Sequence, residues 1–342
     1  MNPRPVTIFT LGGTIAMAPP MDGGAGAMAP GTGGGVVPAM DADALCAAVP
    51  ELSRVAAIST VNFRELPGAH LGLDDLVELA RAIEAARDGG AAGAVVTQGT
   101  DTMEETAFVL DTVGDPEFPV AVTGALRHPG QPGADGPANL LAATAFAACG
   151  EAVGIGTVVV MNDEIHAAAL VQKTHATRPS AFSSPGAGPI GFITEGRPRI
   201  LSSPRARAHL ALAALGGGGG PVALITIGLG DDGSLARLAG QGGYDGLVVD
   251  AMGAGHVPEA VADALAKVAQ RLPVVLASRT GAGAVLAATY GFKGSESDLT
   301  ARGLIRAGWL PGIKARLLLM LCLRAGHGRP AIRRAFADCA GG

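Results

Sequence analysis

Apolar residues in this chain fall in short runs closed by glycine turns, and most runs are followed by a segment with helical spacing. Val6 to Leu11 is a β-rich run ending in Gly12-Gly13. Val55 to Phe63, Gly93 to Thr97, Val120 to Thr123 and Thr157 to Met161 read as further strands, Gly93 to Thr97 with the pattern of a buried one. The helical segments lie between them. Asp41 stands where it can cap a helix through Val49, and Asp74 to Arg87 has apolar positions at helical spacing with Gly89-Gly90 as its stop. Met103 to Val113 carries Glu104 and Glu105 in its first turn, where carboxylates suit the helix dipole, and Ala138 to Ala148 is a fourth helix. Strand, glycine turn and helix in alternation predict a parallel sheet covered by helices.

The pattern lapses between Thr194 and Pro221, a stretch with five consecutive glycines, Gly216 to Gly220. Such a run makes a flexible connector. The division predicted is an N-terminal domain over 1–195, a Gly-rich linker over 196–220 and a smaller α/β domain over 221–342. In the last, Val222 to Ile227, Gly246 to Asp250 and Val274 to Ala277 read as strands. Glu259 to Arg271, Ile313 to Arg324 and Ala331 to Ala337 read as helices. The segment Ala18 to Pro38 has seven glycines and no regular pattern, and it follows a strand end, where open α/β sheets bind ligands. It reads as a mobile lid, with a plain surface insertion as the alternative.

Composition narrows the function classes. The 25 basic and 30 acidic residues give a formal charge of -5 without runs of like charge, which disfavours a nucleic-acid partner. Apolar residues make up 48 % and charged residues 16 %, which excludes a disordered chain. The longest apolar run, Leu317 to Leu323, falls far short of the ~20 residues of a membrane span. Cys46, Cys149, Cys322 and Cys339 show no CxxC spacing, and no HxxxH pair or GxxxxGK[ST] occurs, so no metal site, cofactor or P-loop is expected. A cytoplasmic protein is the expectation.

Three segments put reactive side chains after strands. In LGGTIA (Leu11 to Ala16), two glycines let the backbone approach a ligand, and Thr14 sits at the mouth of the sheet. A threonine capping the next helix is the bland alternative. In TQGTDTMEETA (Thr97 to Ala107), Thr100 and Asp101 stand at a helix start whose N–H groups suit an oxyanion. Asp101 is also fit to bind an ammonium group. Here the alternative is a cap by Asp101 or Thr102, with Glu105 completing a capping box. Lys173, in VQKTHAT, follows a run of Ala and Leu; desolvation there would favour the neutral amine, whereas a lone lysine is by default solvated.

Together with TGALRHPGQPGADGPANL (Thr123 to Leu140), VVVMNDEIHAAALVQKTHAT (Val158 to Thr177), GYDGLVV (Gly243 to Val249), SRTGAG (Ser278 to Gly283) and YGF (Tyr290 to Phe292), these segments resemble the bacterial L-asparaginase family in order and spacing, over nearly the whole chain. The resemblance implies a two-domain α/β protein with a flavodoxin-like, doubly wound N-terminal sheet. It implies hydrolysis of the side-chain amide of L-asparagine, with some glutamine activity, through a threonine nucleophile and an acyl-enzyme, without metal or cofactor. By motif match Thr14 is the first nucleophile, while Thr100, Lys173 and Asp101 form the second cluster of hydroxyl, base and orienting carboxylate. Backbone N–H groups near Thr100 and Ala125 would hold the oxyanion. Asp101 would take the α-amino group, and the loop around Gly68 the α-carboxylate. A homotetramer built from two close dimers is implied as well.

The chain departs from the family at three places. Ala18 to Pro38 contains no tyrosine, Gly68 stands where many members have serine, and Ala254 stands near a position often held by asparagine. Tyr290 and Glu296, in TYGFKGSESD, are candidates for the missing tyrosine and carboxylate, acting across a subunit interface; two surface residues are the alternative. An amino-acid sensor that no longer turns its ligand over is the competing function. An ammonia-supplying amidotransferase subunit is a weaker one, since LGGTIA begins at Leu11 with no additional domain before it.

Overall fold

Five consecutive residues of PVTIFT, Val6 to Thr10, are buried. A strand hidden on both faces gains nothing from polar alternation, so its sequence is a run of β-branched and aromatic residues. This strand, β1 (Pro5–Thr10), pairs in parallel with β2 (Ala57–Asn62) on one side and β3 (Gly93–Thr97) on the other. β4 (Val120–Thr123) and β5 (Thr157–Met161) continue the parallel sheet. The computed structural model describes residues 3–18, 37–38, 40–204 and 208–340, which divide into two compact units, Met1–Pro204 and Arg205–Gly342. All but the ends of Ala18 to Pro38, and with them the expected lid, lie outside the described residues.

Beyond β5 the sheet changes direction. β6 (Glu164–Ala167) runs antiparallel to β5, and a separate two-residue ribbon, β7 (Gln172–Lys173) with β8 (Phe182–Ser183), follows. β9 (Gly191–Thr194) and β10 (Arg197–Ile200) complete the edge, giving the order β10-β9-β6-β5-β4-β3-β1-β2. This corrects the linker expected over 196–220, whose first residues belong to the sheet. Pro198 obscures the strand because it cannot donate to a ladder, and an edge strand tolerates it.

Besides a single helical turn at Leu52–Val55, the helices that flank the sheet are α1 (Ala42–Ala47), α2 (Leu73–Asp88), α3 (Met103–Val113) and α4 (Gly136–Ala148). Asp41 caps α1 by accepting the Ala44 N–H, as its position suggests. Val6, Ile8, Val95, Val158 and Val160 pack on one face against Leu140 and Phe146 of α4 and Leu45 of α1. Each such side chain, fully buried, contributes about 1.5–3 kcal/mol relative to exposure. α2 and α3 cover the opposite face. A doubly wound sheet of this kind presents its ligand-binding loops at the C-terminal ends of its parallel strands. Here those loops are Leu11–Thr14, Gln98–Asp101 and Gly124–Ala125.

The second unit carries a four-stranded parallel sheet, β11 (Val222–Thr226), β12 (Gly246–Ala251), β13 (Val274–Ser278) and β14 (Ile305–Arg306), in that spatial order. Its helices are α5 (Ser234–Gln241), α6 (Glu259–Ala269), α7 (Glu296–Ala301), α8 (Gly312–Arg324) and α9 (Arg329–Ala340). Leu247, Val249, Leu265, Leu276 and Leu299 form its core. Among the described residues no helix is long and apolar enough to cross a membrane.

Candidate active site

The turn after β1 is built on a steric constraint. Gly13 has φ +94°, a conformation that side chains rarely adopt, and a Cβ there would overlap the backbone nitrogen of Gly99. Gly13 therefore lets the turn after β1 lie directly on the turn after β3. Thr14 follows it, half-buried, at the head of a single 3-10 turn. Its hydroxyl makes no hydrogen bond to any described side chain or backbone group, so it caps nothing among the described residues.

The turn after β3 gathers the second set of groups. Lys173 Nζ donates to Thr100 Oγ1 at 2.8 Å and lies 3.1 Å from Asp101 Oδ1. Lys173 is 15 % exposed and Asp101 67 %, so the amine is largely desolvated while its carboxylate partner reaches water. The solvated-lysine alternative fails on that burial. The β7–β8 ribbon fixes the lysine backbone on one side, and the Lys173 N–H donates to Glu104 Oε1 at 3.0 Å. Sequence reasoning gave Glu104 only a helix-dipole role, because nothing in the local pattern links it to a residue so far along the chain. Thr102 does not serve as the cap: it makes no cap bond and instead donates its hydroxyl to the Gly68 carbonyl at 2.9 Å.

Gly68 is thus joined to the same turn. It is buried, and its backbone nitrogen would lie 3.3 Å from a Cβ on Gly99. Ala125, fully buried, is on the next loop, after β4. The structure brings Gly13, Gly68, Gly99 and the Thr100–Asp101–Lys173 cluster together at the ends of adjacent strands.

Tyr290 and Glu296 lie in the second unit and are joined to each other. Glu296 is 0 % exposed, and its Oε1 accepts the N–H groups of Thr289 and Tyr290, each at 2.8 Å. His256 Nε2 is 3.2 Å from its Oε2. Burial alone would raise the Glu296 carboxyl, but the N–H groups of Tyr290, Thr289 and Glu296 itself, with His256, hold it below the usual glutamate range. The Tyr290 ring is half-exposed and meets His256 edge-on at 4.8 Å between centroids. Glu296 therefore anchors the loop that displays Tyr290, a role its sequence neighbours do not signal.

Residues 5–206 match the family description "Asparaginase, N-terminal", and residues 221–336 match "Glutaminase/Asparaginase C-terminal domain". The chain belongs to the asparaginase family. The asparaginase fold is matched by a solved structure described as a probable cytoplasmic L-asparaginase from Campylobacter jejuni, with a TM-score of 0.85 and 33 % identity over 98 % of this chain and 99 % of that one. A probable L-asparaginase of Deinococcus radiodurans is 36 % identical over 98 % of both chains. An L-asparaginase of Bacillus licheniformis is 33 % identical over 94 % of this chain and 96 % of its own. Both halves of the asparaginase architecture are therefore present in this protein.

Proposed function

We propose that this protein hydrolyses L-asparagine to L-aspartate and ammonia, with Thr14 as the first nucleophile. The observation that carries the assignment is the Thr100–Lys173–Asp101 cluster: hydroxyl to amine at 2.8 Å, amine to carboxylate at 3.1 Å. A threonine hydroxyl attacks an amide only when a neighbouring group takes its proton. In this scheme Thr14 Oγ1 bonds to the side-chain amide carbon, and its proton is relayed to the leaving nitrogen. Ammonia departs, leaving an ester to Thr14. Water, deprotonated through Thr100 and Lys173, adds to that ester, aspartate leaves, and the proton returns to Thr14. Backbone N–H groups at Thr100 and Ala125 hold the oxyanion in both steps.

Asparagine is a zwitterion, and the site offers a partner for each end. Asp101, 67 % exposed, has carboxylate surface left for the α-ammonium beyond its contact with Lys173. The turn at Gly68 offers backbone N–H groups to the α-carboxylate, without the hydroxyl that a serine there would add. Glutamine is the secondary substrate of this scheme. On the resemblance, Tyr290 and Glu296 of a neighbouring subunit are assigned the tyrosine and the carboxylate that complete the site, the segment 18–38 having no tyrosine of its own. We also assign the enzyme to the cytoplasm and to a homotetramer, on the resemblance described above.

The test is ammonia release from L-asparagine, L-glutamine and D-asparagine by the purified protein and its Thr14→Ala variant. The expected result is release from L-asparagine that disappears in the variant. Absence of release from every amide, with heat-stabilisation by asparagine, would overturn catalysis in favour of amino-acid sensing.

A further inference from the structure

The first turn of α4 touches both halves of the site, yet none of its residues has a part in the scheme above. Asp135 accepts the N–H of Leu126 at 3.1 Å and of Arg127 at 2.9 Å. Asn139, 3 % exposed, donates to the Gly124 carbonyl at 3.0 Å and to Asp135 Oδ2 at 3.2 Å. The Asn139 carbonyl is held in turn by the Asn162 N–H at 3.0 Å. Ala125 is therefore pinned from both sides: the carbonyl before it is fixed by Asn139, and the amides after it by Asp135. These are buried or charge-assisted bonds, which are costly to break and narrow in geometry.

Gly136 supplies the link to the other half. A Cβ at Gly136 would stand 2.8 Å from Ile15 Cγ1 and 3.4 Å from Ala125 Cβ. The missing side chain lets Ile15, the neighbour of Thr14, and Ala125 rest against the same point of the helix. Ile15 is itself fully buried, so the turn that carries Thr14 cannot drift from this seat without opening a cavity.

We propose that Asp135, Gly136 and Asn139 form a positioning element that sets the spacing between the Thr14 hydroxyl and the Ala125 backbone N–H. The inference rests on the assignment of Thr14 and Ala125 made above. It has a kinetic signature. The groups assigned to the substrate's charged ends, Asp101 and the Gly68 turn, bond instead to Lys173 and Thr102, and among the described residues none bonds to α4. Loosening the α4 turn therefore leaves ground-state binding in place and misaligns nucleophile and oxyanion donor, which lowers kcat and spares KM. Misplacement by about 1 Å costs on the order of a hundredfold in rate.

The experiment compares wild type, Thr14→Ala, Asp135→Asn and Asn139→Leu by steady-state kinetics with L-asparagine, thermal unfolding and amide hydrogen exchange. Asp135→Asn keeps the side chain's size and places an NH2 group where an oxygen accepted; it decides the matter if Asn139→Leu does not fold. The expected result is a 10- to 100-fold loss of kcat with KM within threefold. Exchange in Asp135→Asn is expected to quicken at Thr14 and Ile15 as well as at Gly124 to Arg127. A kcat within twofold of wild type, a loss carried by KM, or faster exchange confined to 124–127 would overturn the proposal. Should wild type release no ammonia, or Thr14→Ala match it, the functional assignment fails, and the exchange data alone decide whether the α4 turn couples the two segments.

Discussion

Replacing Lys173 by Met keeps a long apolar stem and removes the ammonium. Thr100 loses its donor and Asp101 its partner. Since Asp101 is 67 % exposed, that pair adds no more than about 1 kcal/mol to stability. The proton relay is worth far more to the reaction, about 10²–10⁴-fold. Lys173→Met is therefore expected to lower kcat by that factor while the unfolding temperature moves by only a few degrees; an intact kcat would remove Lys173 from the relay. Gly13→Ala behaves in the opposite way. Its Cβ would overlap backbone rather than a movable side chain, and φ +94° adds strain of order 1–3 kcal/mol. A lower unfolding temperature together with lost activity is expected, read by calorimetry and ammonia release. Thr14, Thr100, Asp101 and Lys173 could be named as candidates only through the order and spacing of the family motifs, since each segment alone reads as readily as a cap or a solvated side chain. Asp135 and Asn139 were not legible, because their partners are backbone atoms of a loop, and backbone atoms leave no signature in the residue string.

Among elements, the central parallel strands were legible as apolar runs; the antiparallel edge and the two-residue β14 were not. GFIT and RPRI are four residues each, with a glycine or a proline in place of a β-former, and their pairing partners supply the order their composition lacks. Helix α7 was hidden for a related reason: it spans six residues, too few to show a period. Its first residue, Glu296, makes a testable device. Its carboxyl is held below the usual range, so the folded state binds the proton less readily than the unfolded chain. The stability it contributes is complete above the ordinary glutamate value of about 4.3 and is lost as pH falls through the lower native value. The unfolding temperature of wild type should exceed that of Glu296→Gln by a constant margin from pH 7 down to about 5. The margin should shrink on further acidification; a margin independent of pH down to 3 would show that the charge is immaterial.

At the scale of the whole molecule, the second unit leaves Leu286, Tyr290, Phe292, Trp309 and Ile313 substantially exposed. Apolar side chains of this size, gathered in one stretch of sequence, favour association. Light scattering is expected to return the mass of four chains of 33.8 kDa, and a monomer mass would overturn the tetramer. The seating of Gly13 on Gly99 reaches further than either residue. β1 and β3 are paired with Thr10 opposite Thr97, and both turns leave the sheet just beyond that pair. A slip of one residue would shift β1 by about 3.3 Å and bring Thr14, with its Cβ, toward the contact that only glycine fits. Sheets slipped in that direction are thereby hindered from closing the reactive turn. In refolding experiments, turnover should return later than helical content and in step with strand pairing, which makes the reaction a reporter of the protein's own assembly.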